Sequence, residues 1–167
     1  MEESSKQGDW RRWLDEHAPK FLLYARQKTR SEADAQDLVQ EAVVEALERL
    51  SDSKPPPLAL VFATIHRRAI DLARREDRRT DRELAATESQ ARTWFDTSVE
   101  DRELRQLIEI AMSQLPEMYR EAITLKVWGG LTFAEIADTL GIPANTAASR
   151  YRYGLVELRK LTKGVLA

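Results

Sequence analysis

TFAEIADTLGIPANTAASRYR, residues 132–152, reads as two short helices joined by a tight turn. Thr132 is placed to cap the first helix, and Glu135 three residues on completes a capping box, in which each side chain bonds the other residue's backbone N–H. Ile136, Ala137 and Leu140 are the residues it would bury. Gly141 stops the helix, because glycine enters the left-handed backbone conformation without a Cβ clash. Pro143 disfavours helical geometry at Ile142, and its fixed φ suits the start of a second helix from about Ala144. This is helix-turn-helix punctuation, and the second helix of such a unit characteristically lies in the major groove of DNA.

The rest of the chain is consistent with that unit. No stretch alternates apolar and polar residues with β-branched enrichment, whereas helical periodicity recurs, so the fold class expected is all-α. Helices are predicted from about Trp10 to Lys28, from Ser31, with Asp34 as a capping-box partner, to about Leu50, and from about Leu58 to Arg79. SDSKPPP (51–57) is a loop, since consecutive prolines cannot continue a helix. A second helical group starts near Asp101, breaks at Leu115-Pro116, resumes to about Trp128 and breaks again at Gly129-Gly130 before the helix-turn-helix. The organisation expected is two small helical domains, 1–79 and 101–167, joined by a flexible acidic linker, 80–100. Each domain has few residues with which to build a core.

Charge is segregated along the 167 residues although the net value is only −2. Residues 31–50 hold six acids and one base, and 62–79 hold six arginines and three acids. Residues 80–101 hold six acids and two bases, and 144–164 hold five bases and one acid. The chain has no cysteine, which excludes disulfides and thiolate metal sites. No apolar run is long enough to span a membrane, and the N-terminus MEESSKQGDWRRW has no apolar signal core, so a cytoplasmic chain without membrane contact of its own is expected. Only His17 and His66 are present, and there is no HExxH, P-loop or GxSxG motif. Neither catalysis nor a cofactor or metal is therefore expected.

Three helical faces could carry function. In residues 33–50, Leu38, Val39, Ala42, Val43, Ala46 and Leu50 gather on one side, and Asp37, Gln40, Glu41 and Glu48 on the other, with Glu45 at its edge. That acidic side is either a solvated face or a docking surface for a basic partner. In residues 58–79, Phe62, Ile65, Ala69, Leu72 and Ala73 form the apolar stripe, opposite Arg67, Arg68, Asp71, Arg74, Arg75 and Arg78, with Arg79 near them. Arginine at this density suits phosphate contact, or pairing with the acidic helix. In the last helix Ala147, Tyr151, Gly154 and Leu158 face inward, leaving Thr146, Ser149, Arg150 and Tyr153 for base edges and phosphates.

Taken in order, these segments resemble a bacterial RNA polymerase sigma factor of the extracytoplasmic-function type in the sigma-70 family. DLVQEAVVEAL (37–47) is similar to a helix of that family's second conserved region. FATIHRRAIDLARR, running on to Arg79, resembles the promoter-melting helix that follows it, and LPEMYREAITLKVWGGLTFAEIADTLGIPANTAASRYR resembles the fourth region almost throughout. The resemblance implies a non-enzymatic factor that binds core RNA polymerase and directs promoter-specific initiation. It implies that Asp37, Gln40, Glu41 and Glu45 dock on the polymerase, and that Arg67, Arg68, Asp71, Arg74, Arg75, Arg78 and Arg79 engage the minus-ten element. It assigns the minus-thirty-five element to Thr146, Ser149, Arg150, Arg152 and Tyr153. An anti-sigma protein, wedged between the two domains or clamping them, is a further partner that it allows. Two departures stand out. Arg67 fills a slot where the family commonly has asparagine, and Ala148, Tyr153 and Leu155 stand where lysine or arginine frequently occur. Two other readings stay open at this point: a stand-alone helix-turn-helix regulator, and a sigma-like protein without promoter specificity.

Overall fold

The computed structural model describes residues 2–50, 54–80, 93–95 and 102–163, without the side chains of residues 2, 3, 79 and 80. The described residues are helical with no strand, and the chain divides into two compact units, 1–92 and 93–167. Most of the predicted linker, residues 51–53 of the predicted loop, and the last four residues lie outside the described set.

The first unit contains α1 (Glu2–Lys28), α2 (Glu32–Arg49) and α3 (Leu58–Thr80). α1 begins well before Trp10 and carries Pro19 in its interior, at the cost of one helical hydrogen bond. Ser31 caps α2, its side chain accepting from the Asp34 N–H at 3.1 Å. The core is aromatic where α1 meets α3. Phe21, Tyr24 and Phe62 are fully buried, with Phe62 edge-on to Phe21 at 5.0 Å and to Tyr24 at 5.8 Å. The Tyr24 hydroxyl pairs with Nδ1 of His66 at 3.1 Å, a structural use of that histidine. Trp13 and His17 extend the aromatic row along α1, and burial lowers the pKa of His17, with the Lys20 charge adding to the effect. Arg26 forks onto both carboxylate oxygens of Glu32, tying the end of α1 to the start of α2. On α3 the stripe expected from periodicity is met by Phe62, Ile65 and Ala69. Leu72 is only half-buried and Ala73 is exposed, because the last turns of α3 run out past the packed core.

The second unit contains α4 (Arg102–Gln114), α5 (Glu117–Ile123), α6 (Phe133–Leu140) and α7 (Ala144–Thr162). α5 widens into a π-helical turn over Thr124–Trp128, closed by the Gly129 N–H donating to the Thr124 carbonyl at 3.0 Å. Met112, Leu115 and Ile123 form the core, with Trp94, Ile108, Trp128, Tyr151 and Leu158 packed around them. The capping box at Thr132 is complete in both directions, the Glu135 N–H reaching Thr132 Oγ1 at 3.1 Å and the Thr132 N–H reaching Glu135 Oε1 at 3.0 Å. Gly141 ends α6 at φ 68°, a conformation that costs other residues their Cβ clearance, and the Ile142 N–H then bonds the Ala137 carbonyl at 3.0 Å. α7 crosses α5 closely at Gly154, where a Cβ would lie 2.9 Å from Ile123 Cδ1 and 3.1 Å from Tyr119 Cβ.

Trp94 and Phe95, in the stretch expected to be linker, are fastened to this second unit. Both backbone N–H groups donate to Oε1 of Glu109, at 3.0 and 2.8 Å. The Arg120 guanidinium lies over the Trp94 ring at 5.5 Å, and the Phe95 ring meets Trp128 at 5.3 Å.

Candidate functional site

The acidic face of α2 and the arginine face of α3 are not two separate surfaces. α2 packs on α3, with Leu38, Ala42 and Ala46 of the one and Ile65 and Ala69 of the other all buried, and the ion pairs between them set the two charged faces side by side along one seam. Arg68 Nε donates to Glu45 Oε2 at 2.7 Å, and a terminal nitrogen of Arg68 donates to Glu41 Oε2 at 2.8 Å. Arg67 pairs with Glu45 Oε1, and Arg49 reaches the same oxygen from one turn along α2 at 3.3 Å. Glu45, 20% exposed, therefore serves three arginines.

The electrostatics follow from that convergence. The hydrogen bond from Arg68 holds the Glu45 carboxyl below its ordinary value; burial opposes this and the Arg67 charge assists it. Arg68 is raised in turn, chiefly by its hydrogen bond to Glu45. For a carboxyl with a lowered folded pKa, the stabilisation is fully present above the ordinary carboxylate range and is lost as pH falls through the folded value. The seam is thus charged and paired at neutral pH.

Beside the pairs lies an open groove of about 190 Å³, lined by Asp37, Glu41, Arg68, Asp71 and Arg75 among others. Asp37, Gln40 and Glu41 are exposed along one edge, and Arg67, Asp71, Arg74, Arg75 and Arg78 are exposed along α3. The side chain of Arg79 is outside the described residues. The structure thus brings the expected docking residues and the expected DNA-contacting residues together. Helical periodicity assigns residues to faces but not faces to neighbours, so the cross-helix pairing was present in the sequence only as opposite charge blocks.

On α7 the inward set is Ala147 and Gly154, fully buried, with Tyr151 and Leu158 half-buried. Thr146, Ser149 and Arg150 are half-buried, and Arg152 and Tyr153 are exposed, Tyr153 at 60%. At 100° per residue Arg150 sits near the buried stripe, so the most open part of this face is carried by Arg152 and Tyr153. Val156, 51% exposed, continues the same side and was not singled out by the sequence. It is apolar, so a search for hydroxyls and cations passes over it. Among the described residues there is no cluster of three His, Asp or Glu able to hold a metal, and no helix is long and apolar enough to cross a membrane.

With this geometry in hand, the chain can be set beside known proteins. Residues 13–79 match the family model described as Sigma-70 region 2, and residues 105–158 match Sigma-70, region 4. The chain is 31% identical over 150 residues to the ECF RNA polymerase sigma factor SigL of Mycobacterium tuberculosis, covering 87% of this chain and 84% of that protein. It is 31% identical over 132 residues to the ECF RNA polymerase sigma factor SigK of Mycobacterium ulcerans, covering 75% and 70% respectively. Two solved structures share the fold. The sigma factor RpoE in complex with the anti-sigma factor NepR, from Bartonella quintana, matches with a TM-score of 0.74 at 20% identity, covering 95% of this chain and 99% of that one. CnrH in complex with the cytosolic domain of CnrY matches with a TM-score of 0.61 at 20% identity, covering 97% and 94%.

Proposed function

The chain belongs to the extracytoplasmic-function sigma factors of the sigma-70 family, and from that premise we propose how its residues divide the work. It binds core RNA polymerase and DNA and directs transcription initiation, with no enzymatic activity of its own. The exposed edge of α2, Asp37, Gln40 and Glu41, docks on the polymerase. Glu45 belongs to the same surface but is committed to Arg49, Arg67 and Arg68, so its contribution is to hold the arginines of the seam in place. Arg67, Arg68, Asp71, Arg74, Arg75, Arg78 and Arg79 address the minus-ten element, and Thr146, Ser149, Arg150, Arg152 and Tyr153 the minus-thirty-five element. The observation that carries the assignment is the capped helix-turn-helix, which presents α7 with an exposed polar face and an apolar face held by the core.

A net charge of −2 gives the free chain little non-specific attraction to phosphate. Promoter selection then depends on polymerase presenting both units together, where tethering raises the effective concentration of the second contact. Such a factor works in the cytoplasm, beside the polymerase. Both structural neighbours are held in complexes, one of them with an anti-sigma factor by name, and we infer that a protein of that kind controls this chain too.

The docking assignment is tested by titration against core polymerase. Asp37→Ala and Gln40→Ala are each expected to weaken binding by about fivefold to tenfold, about 1–1.4 kcal/mol, while the helical circular dichroism is unchanged. Unaltered affinity in both variants removes these residues from the docking surface. A run-off assay on a promoter library then gives the two elements, and loss of initiation without loss of binding in Arg74→Ala and Arg75→Ala separates DNA contact from docking.

A further inference from the structure

Val156 is 51% exposed in the interior of α7, where a β-branched side chain loses rotamer freedom without gaining burial. At 100° per residue it lies about 180° from Ala147 and about 160° from Gly154 and Leu158, so it points away from the core. Ser149 falls within about 20° of it, and Tyr153, 60% exposed, about 60° to one side. Arg152 and Arg159, both exposed, fall about 40° and 60° to the other side, and Arg150 lies about 120° round, beyond Tyr153. Lys160, one turn on, is paired with Glu157 at 3.1 Å. The outward face of α7 therefore has an uncharged centre, Ser149, Tyr153 and Val156, and cationic flanks. A helix in the major groove turns its centre to the base edges and its flanks to the two phosphate backbones. Here the flanks suit phosphate, and the centre has no fork of donors for guanine. An isolated surface valine needs no explanation, but one set between arginines on the face assigned to DNA does.

We propose that Val156 is a specificity-determining residue, whose methyl groups, beside the Tyr153 ring, contact the C5-methyl of a thymine in the upstream promoter element. The proposal rests on the reading that α7 enters the major groove there. Thymine is the one base that offers an apolar group in that groove. Burying its methyl against valine takes apolar surface of both partners out of water, worth about threefold to fivefold in affinity. The upstream element therefore carries an A·T pair opposite the C-terminal half of α7.

The test uses holoenzyme assembled from core polymerase and the full chain, on the promoter that the library selects. Each thymine of the upstream element, on either strand, is replaced in turn by deoxyuridine, which keeps the base pair and removes only the methyl. For the unaltered chain, replacement at one position or at two adjacent ones is expected to weaken promoter binding about threefold to fivefold. Val156→Ala should weaken binding to the thymine promoter by a similar factor, and the same deoxyuridine should then cost less than about 1.5-fold. The melting temperature should not fall, since Val156 is exposed and alanine has the higher helix propensity. A purely structural role for Val156 would weaken binding to both promoters alike and leave the methyl effect intact. The proposal is overturned by that additive result, by deoxyuridine tolerated at every position, or by an upstream element without an A·T pair. Footprinting separates this failure from that of the reading beneath it. Upstream protection that Arg152→Ala weakens, with no methyl effect, keeps α7 in the groove and sinks the methyl contact alone. No upstream protection by the unaltered holoenzyme removes the groove reading itself, and the proposal with it.

Discussion

Phe62→Ala is expected to lower the melting temperature of the first unit by about 15 °C or more. Phe62 is 1% exposed and packs edge-on to both Phe21 and Tyr24. Removing a buried phenyl ring leaves a cavity and typically costs about 3–5 kcal/mol, and the lost aromatic geometry adds to it. A unit of this size holds only about 5–14 kcal/mol in total, so the change takes a large share of it. The functional loss follows from position: Arg67 and Arg68 lie on α3 just beyond Phe62, and their bonds to Glu45 require α3 to stay seated on α1 and α2. Hydrogen exchange resolved by peptide, run alongside a thermal melt, would show faster exchange in α1 and α3. A melting shift below about 5 °C would mean that the aromatic cluster is not the keystone of this unit.

Gly154→Leu is expected to be the most damaging single change in the second unit, with Gly154→Ala close to neutral. At this crossing even a Cβ approaches Ile123 Cδ1 to 2.9 Å and Tyr119 Cβ to 3.1 Å. Alanine can be absorbed, because Ile123 Cδ1 is the free end of a side chain and the gain in helix propensity, about 0.8–1 kcal/mol, offsets the crowding. Leucine adds three further carbons where no space exists, which forces α7 away from α5 at a cost of about 3 kcal/mol. The corresponding fall in melting temperature is about 10–20 °C, and footprinting of the upstream promoter element should be lost with it. Equal stabilities for the alanine and leucine variants would contradict the close crossing.

The features legible in the sequence were those governed by local chemistry. Thr132 with Glu135, Gly141 and Pro143 each act on their own backbone or on that of a near neighbour, and each does in the structure what its residue type dictates. The family regions were legible for a related reason, since their motifs are continuous stretches. What escaped depends on tertiary partners. Ala73 fits the apolar stripe by spacing yet is exposed, because among the described residues no apolar side chain is brought over it. Glu45 reads as the edge of a free acidic face, and only the packing of α2 on α3 turns it toward Arg67 and Arg68. The attachment of Trp94 and Phe95 to the second unit gave no periodic signal over so few residues. Its one clue was two adjacent aromatics among acids and hydroxyls, where a solvated linker has no use for them. The π-helical turn has no composition of its own and is visible only in its hydrogen bonds.

That turn gives Thr124–Trp128 a residue to spare. A π turn holds one more residue than an α turn, so a chain shortened by one codon here could close an ordinary α-helix with its hydrogen bonds intact. The sweep of the backbone would be nearly unchanged, because the residue lost is the one the wider turn had taken in, and the chain from Gly129 onward would keep its facing. The same loss in the regular α-turns of α4 or α7 has no such slack, and every later residue of that helix would be turned by about 100° about its axis. A one-codon deletion is therefore absorbed beside Val127, whereas in the recognition helix it would leave a well-formed helix showing DNA the wrong side.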